Sequence, residues 1–146
     1  MKKNIPNILT LFNLFCGCCA VGSIFYGQFE QAFWFSVASA FADYLDGTAA
    51  RLLKVNSILG KELDSIADMV SFGVVPGAIL YILLVKGLKG ENELPIELTL
   101  LATPAFLVSV MAGLRLAKFN LDTRQTEDFI GLPTPAATVY TLGLLL

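Results

Sequence analysis

Four aspartates, Asp43, Asp46, Asp64 and Asp68, stand inside one 26-residue window of a chain that is otherwise strongly apolar. At a bilayer centre each such carboxylate costs roughly 2.5 to 3.5 kcal/mol, so together they cost about 10 kcal/mol or more. That sum is an upper bound for groups at the membrane surface. Acidic side chains this dense in an apolar segment need a cation to hold them. Asp43 and Asp46 are three residues apart and Asp64 and Asp68 four apart, so each pair shares one face of a helix. With only residues 52–63 between them, the two helices run antiparallel and the pairs face each other across a groove. Four converging carboxylates make an all-oxygen site suited to Mg²⁺, Mn²⁺ or Ca²⁺. Two such ions about 3.5 to 4 Å apart suit an in-line phosphoryl displacement, one on the attacking oxygen and one on the leaving oxygen. The chain has no histidine, so proton transfer falls to Asp, Glu, Lys, Tyr or water.

The neighbouring residues fit phosphate chemistry. Gly47 lies one turn after Asp43 and Ala50 one turn after Asp46, so the same face offers small side chains on which a bulky phosphate can rest. Arg51 follows one turn below Gly47, and a guanidinium binds a diphosphate in bidentate fashion. Gly60, in the connecting loop, permits a close approach or a positive φ.

The elements that must position these groups are membrane helices. The chain has 146 residues, 55% hydrophobic and only 15% charged, with a mean hydropathy of +0.70. A soluble domain carries about 25% charged residues, so the expected fold is an all-α integral membrane bundle. Apolar runs long enough to span occur at 8–27, 31–52, 64–85 and 98–116. A fifth begins near Pro135 and has roughly 18 Å of helix before the chain stops. The connecting segments put eight basic residues on one side (Lys2, Lys3, Arg51, Lys54, Lys61, Arg115, Lys118 and Arg124) and two, Lys86 and Lys89, on the other. The positive-inside rule then predicts a cytosolic N-terminus and a cytosolic aspartate cluster, in the cytoplasmic membrane of a prokaryote.

No repeat, low-complexity stretch or soluble domain interrupts the spans. A nucleic-acid partner is not expected. Cys16, Cys18 and Cys19 lie in one apolar run without a second pair to complete a zinc site, and read as small apolar side chains. Trp34, Tyr26 and Tyr81 read as interfacial belt residues.

The pattern Asp43-x2-Asp46-Gly47-x2-Ala50-Arg51-x8-Gly60-x3-Asp64-x3-Asp68 resembles, at every position, the signature of the CDP-alcohol phosphotransferase family. Eight fixed residues at fixed gaps are highly specific. The resemblance implies transfer of a phosphatidyl or related group from a CDP-linked lipid to an alcohol with release of CMP. It also implies two divalent cations, Mg²⁺ or Mn²⁺, six transmembrane helices and a homodimer. Asp43, Asp46 and Asp64 are implied metal ligands, and Asp68 both a ligand and the base. Asp68 lies a turn deeper in its helix than Asp64, a place suited to taking a hydroxyl proton. Asp43, Gly47, Ala50, Arg51 and Gly60 are implied contacts of the cytidine diphosphate. The opening segment Pro6-Asn7-Ile-Leu-Thr10-Leu-Phe-Asn13 is similar to the family's, which adds Asn7 and Thr10 to the nucleotide site. The resemblance covers most of the chain, with the fifth helix short and the sixth missing. The expectation is one domain over residues 1–146, truncated at its C-terminal end.

Three further segments, 63–76, 115–120 and 131–137, resemble the phosphatidylserine synthase branch. They imply L-serine as acceptor and CDP-diacylglycerol or CDP-archaeol as donor. Arg115, Lys118 or Arg124 could hold the serine carboxylate, and Asn120 could orient the amino acid. Glycerol 3-phosphate or an inositol phosphate would also want cations, so both stay open as acceptors. Basic residues here also serve as positive-inside anchors. A divalent cation transporter is the rival from another class. It explains the aspartates but not Arg51, and it expects a polar trail that the run from Ser71 to Lys86 lacks.

Overall fold

A computed structural model describes residues 5–53, 57–89, 100–121 and 134–144. Helix α1 spans Ile5–Phe25 and α2 spans Phe29–Leu53. The turn between them is made by Gly27, whose φ of 73° is open to glycine at little cost. Helix α3 (Ile58–Asp68) continues through a π-helical turn (Met69–Val74) into α4 (Val75–Lys89). A 3₁₀ turn, Thr103–Phe106, with Pro104 at its start leads into α5 (Leu107–Leu121), and α6 covers Thr134–Gly143. The described residues are all-α, as the composition requires.

Helix α3 begins at Ile58, well before the expected span 64–85. The cause is local: Ser57 is extended, and its hydroxyl accepts the Gly60 N–H at 2.9 Å, capping the first turn. Gly60 is therefore helical, and the expectation of a loop glycine with positive φ is corrected. Gly60 does sit at a close approach of α3 to α1, since a Cβ there would come within 3.0 Å of Asn7 Oδ1.

The bundle is polar inside and apolar outside over much of its length. Thr10, Asn13, Ser36, Ser39, Asp46 and Ser71 are buried, whereas Leu11, Phe12, Phe15, Trp34, Val37 and Phe41 are exposed. In water this would waste the hydrophobic effect; in lipid it is the arrangement that keeps polar side chains out of the hydrocarbon. Two continuous helical stretches, Pro6–Phe25 and Ile58–Leu88, are long and apolar enough to cross a membrane. The chain is an integral membrane protein.

The apolar core sits away from the carboxylates. Ala20 and Ile24 of α1, Ala32 of α2, Val75, Ala78 and Ile79 of α4 and Leu142 of α6 pack together. Small residues there let the helix backbones approach closely. Beside this core, Tyr81 stacks on Phe106 with ring centroids 5.4 Å apart, and Lys86 lies 3.9 Å over the Phe29 ring. Tyr81 is thus a packing residue as well as a belt candidate. Asp43 and Asp46 lie toward the far end of α2, near the start of α1 and of α3.

Candidate active site

Helical periodicity and the α2–α3 juxtaposition bring the aspartates together. Asp43, Asp64 and Asp68 each offer a carboxylate oxygen, and these oxygens all lie within 4.8 Å of one another. The Asp43 and Asp68 carboxyls are in hydrogen-bonding range. Asp46 is outside this set of three but within electrostatic reach of Asp64, Asp43 and Asp68, buried at 4% exposure against Thr10 of α1. At such separations each pair of ionised carboxylates repels by on the order of 3 kcal/mol, even with an effective dielectric near 20. The cluster is therefore stable only with a proton shared between Asp43 and Asp68 or with a cation among the carboxylates.

Two further observations fit a metal. Asp68 Oδ1 and Asp46 Oδ2 are buried and have no hydrogen-bond partner among the described residues. A buried carboxylate oxygen without a donor is costly unless a cation takes that lone pair. The donor set, oxygen only, is the one hard divalent cations take.

Beside the carboxylates is a cavity of about 410 Å³. Its walls come from the starts of α1 and α3 and the end of α2: Pro6, Asn7 and Thr10; Ser57, Gly60, Lys61 and Asp64; Asp46, Gly47 and Ala50. Asp64 belongs to both the cavity wall and the carboxylate group. Gly47 is not demanded by packing, because a Cβ there would meet only the Arg51 guanidinium, at 3.7 Å. Its smallness keeps the cavity open. Gly60 is different: a Cβ would come within 2.7 Å of Ser57 Oγ and 3.0 Å of Asn7 Oδ1. The first turn of α3 thus presses against Asn7, closing one wall.

Several expected site residues are placed elsewhere. Arg51 is exposed, outside the cavity lining, and its Nε donates to the Gly47 carbonyl at 3.1 Å. Asn120 donates to Ser65 Oγ at 2.7 Å, which ties α5 to α3 beside Asp64. Arg115 is half-buried and Lys118 exposed, while Arg124 lies outside the described residues. Sequence reasoning missed Ser57 and Lys61 as cavity residues. The Ser57-x-x-Gly60 spacing carried a capping signal for the first, whereas Lys61 was legible only as a basic residue on the N-terminal side of the membrane.

A family profile described as CDP-alcohol phosphatidyltransferase matches residues 3–146. The chain belongs to the CDP-alcohol phosphatidyltransferase family. Among its relatives are three proteins named CDP-diacylglycerol–serine O-phosphatidyltransferase. The one from Bacillus subtilis (strain 168) is 38% identical over 133 residues, 91% of this chain and 70% of the relative. That from Helicobacter pylori (strain J99) is 40% identical over 139 residues, 92% of this chain and 54% of the relative. The Saccharomyces cerevisiae relative is 34% identical over 125 residues, 79% of this chain and 41% of the relative. The chain thus spans from about two fifths to 70% of the length of these three. No solved structure gives a significant match. The family resemblance carried by the aspartate signature is borne out.

Proposed function

We propose that the chain transfers a phosphatidyl group from CDP-diacylglycerol, or its archaeal ether analogue, to L-serine, releasing CMP. The observation that carries the chemistry is the 4.8 Å convergence of Asp43, Asp64 and Asp68 at the edge of a 410 Å³ cavity. Serine as acceptor is supported by the names of the bacterial and yeast relatives and by the three segments that resemble the synthase branch.

In this reading Asp43, Asp64 and Asp68, with Asp46 beside them, hold two divalent cations, Mg²⁺ or Mn²⁺. When bound, such ions neutralise diphosphate charge and polarise its oxygens. The cytidine diphosphate lies in the cavity, over Gly47, Ala50 and Gly60, with Asn7 and Thr10 supplying polar contacts. Arg51 swings from the Gly47 carbonyl to the diphosphate, a rotation its exposure permits. The serine hydroxyl oxygen forms a bond to the lipid-linked phosphorus, the bond from that phosphorus to the CMP oxygen breaks, and Asp68 takes the hydroxyl proton. Arg115, Lys118 and Arg124 supply positive charge for the serine carboxylate, and Asn120 orients the amino acid. The basic residues Lys61, Arg115 and Lys118 near this end of the bundle support a cytosolic active site. The homodimer implied by the family resemblance is part of the same reading.

The deciding experiment incubates purified protein with CDP-diacylglycerol and Mn²⁺ or Mg²⁺, separately with L-serine, glycerol 3-phosphate or inositol 3-phosphate. CMP release is expected with serine and not with the other two. Release with glycerol 3-phosphate alone would move the chain to another branch, and none with any acceptor would remove the transferase reading for this chain.

The cavity wall offers a second test. Gly60→Ala crowds Ser57 and Asn7, both in the cavity wall, so the KM for CDP-diacylglycerol is expected to rise about tenfold, roughly 1.4 kcal/mol. Turnover at saturation should change less than threefold, because the carboxylates are untouched. A fall in kcat at unchanged KM would show that Gly60 does not border the nucleotide.

A further inference from the structure

Beneath the carboxylates lies a second polar layer that the proposed reaction does not use. Asn13 of α1, Ser39 of α2 and Ser71 of the π turn are 0%, 1% and 2% exposed. Ser71 donates to Asn13 Oδ1 at 2.8 Å, and Ser39 reaches Ser71 Oγ at 2.8 Å as well as the Asn13 carboxamide oxygen. Ser39 is one turn before Asp43, and Ser71 is three residues after Asp68. The layer therefore joins the two helices that carry the opposing carboxylates, one turn deeper, with Asn13 as the common partner.

Two features show that the backbone is shaped around it. Gly17 lies one turn past Asn13, and a Cβ there would come within 2.5 Å of Ser71 Oγ. The helix widens to a π turn at Met69–Val74, immediately after Asp68, and Ser109 of α5 donates to the Gly73 carbonyl at 2.8 Å. A π turn holds an extra residue and so changes the rotation of the chain before it relative to the chain beyond it. Ser71, inside that turn, is thereby tied to α1 and α2.

We propose that Asn13, Ser39 and Ser71 are positioning residues that hold Asp43 and Asp68 at ligand spacing before any cation binds. The inference rests on the reading of those carboxylates as cation ligands. When both are ionised, Asp43 and Asp68 repel, which favours moving α3 away from α2 along its packing on α1. In hydrocarbon, that slip strands two hydroxyls and the Asn13 carboxamide oxygen, beside an Nδ2 that already has no partner among the described residues, with no water to replace what is lost. The polar layer thus resists the one movement the carboxylates favour.

The test uses the full chain, purified in nanodiscs, and counts free Mn²⁺ by electron paramagnetic resonance without substrate. Ser71→Ala and Ser39→Ala are expected to raise the Mn²⁺ dissociation constant about tenfold and to lower kcat, with the KM for CDP-diacylglycerol within twofold. Ser71→Cys keeps a weak donor and should fall between Ser71→Ala and the parent. Ser36→Ala is the control: Ser36 is buried and bonds Ala32 of its own helix at 2.8 Å, so its loss should leave Mn²⁺ affinity unchanged. Variants that melt earlier yet bind Mn²⁺ within twofold of the parent would overturn the inference and leave the layer a structural one. If Ser71→Ala fails to fold, Ser39→Ala and Ser71→Cys carry the test. Asp43→Asn separates the two levels. If it too binds Mn²⁺ normally, the cation reading fails; if it alone loses Mn²⁺, only the positioning inference fails.

Discussion

Asp43→Asn is expected to reduce CMP release by about 10³-fold or more, because a lost ligand forfeits several kcal/mol of charge stabilisation where phosphoryl transfer needs it. The same variant should be the more stable protein when divalent cations are chelated. Asn is nearly isosteric with Asp and removes a charge from a group whose oxygens lie within 4.8 Å. Where Asp43 and its neighbours are all ionised, relief of repulsion on the order of 3 kcal/mol corresponds to an apparent melting midpoint raised by about 6 °C or more. Adding Mn²⁺ should raise the midpoint of the parent chain and leave that of Asp43→Asn nearly unmoved. A variant that melts lower than the parent in EDTA would show that Asp43 is held by bonds other than those of a cation site. The opposite signs for activity and stability are what distinguish a functional carboxylate from a packing residue.

Asp68→Asn tests the proton acceptor. Its carboxyl is in hydrogen-bonding range of Asp43, and Oδ1 is buried without a partner among the described residues. A carboxamide cannot take the serine proton, and a general base contributes about 10²- to 10⁴-fold. The expected result is a fall of that size in kcat at saturating Mn²⁺, with the KM for CDP-diacylglycerol changed less than threefold. Turnover within fivefold of the parent, with Mn²⁺ still bound, would assign the proton to another group. Asp64→Asn is the useful comparison. It should weaken Mn²⁺ binding as Asp43→Asn does, and recover more of its activity than Asp68→Asn when Mn²⁺ is raised.

The long helices and the aspartates were legible in the sequence because both depend on local periodicity. Apolar runs of about 20 residues announce spans, and gaps of three or four place Asp43 with Asp46 and Asp64 with Asp68. The start of α3 was less legible, since Ser57 lies seven residues before the apolar run that begins at Asp64, in a segment whose polar residues suit a loop as well as a first helical turn. The π turn had no signal at all: Met69–Val74 reads as ordinary apolar helix, and only the structure shows the widening, with contacts from α1 at Ser71 and from α5 at Gly73. Ser39 and Ser71 were equally silent, each being one small polar residue in an apolar span, and Asn13 stood out only as the end of the opening segment.

By itself the sequence determined which side chains share a helix face, and hence that carboxylates, small residues and a guanidinium occur together at one end of a membrane bundle. The rotation of each helix against its neighbours was decided only by tertiary structure. That rotation puts Asp43, Asp64 and Asp68 in one group and leaves Asp46 against Thr10. The physical reason is the range of the forces. The pitch of a helix follows from bonds four residues apart, whereas the polar layer that locks α1, α2 and the π turn joins residues 26, 32 and 58 positions apart.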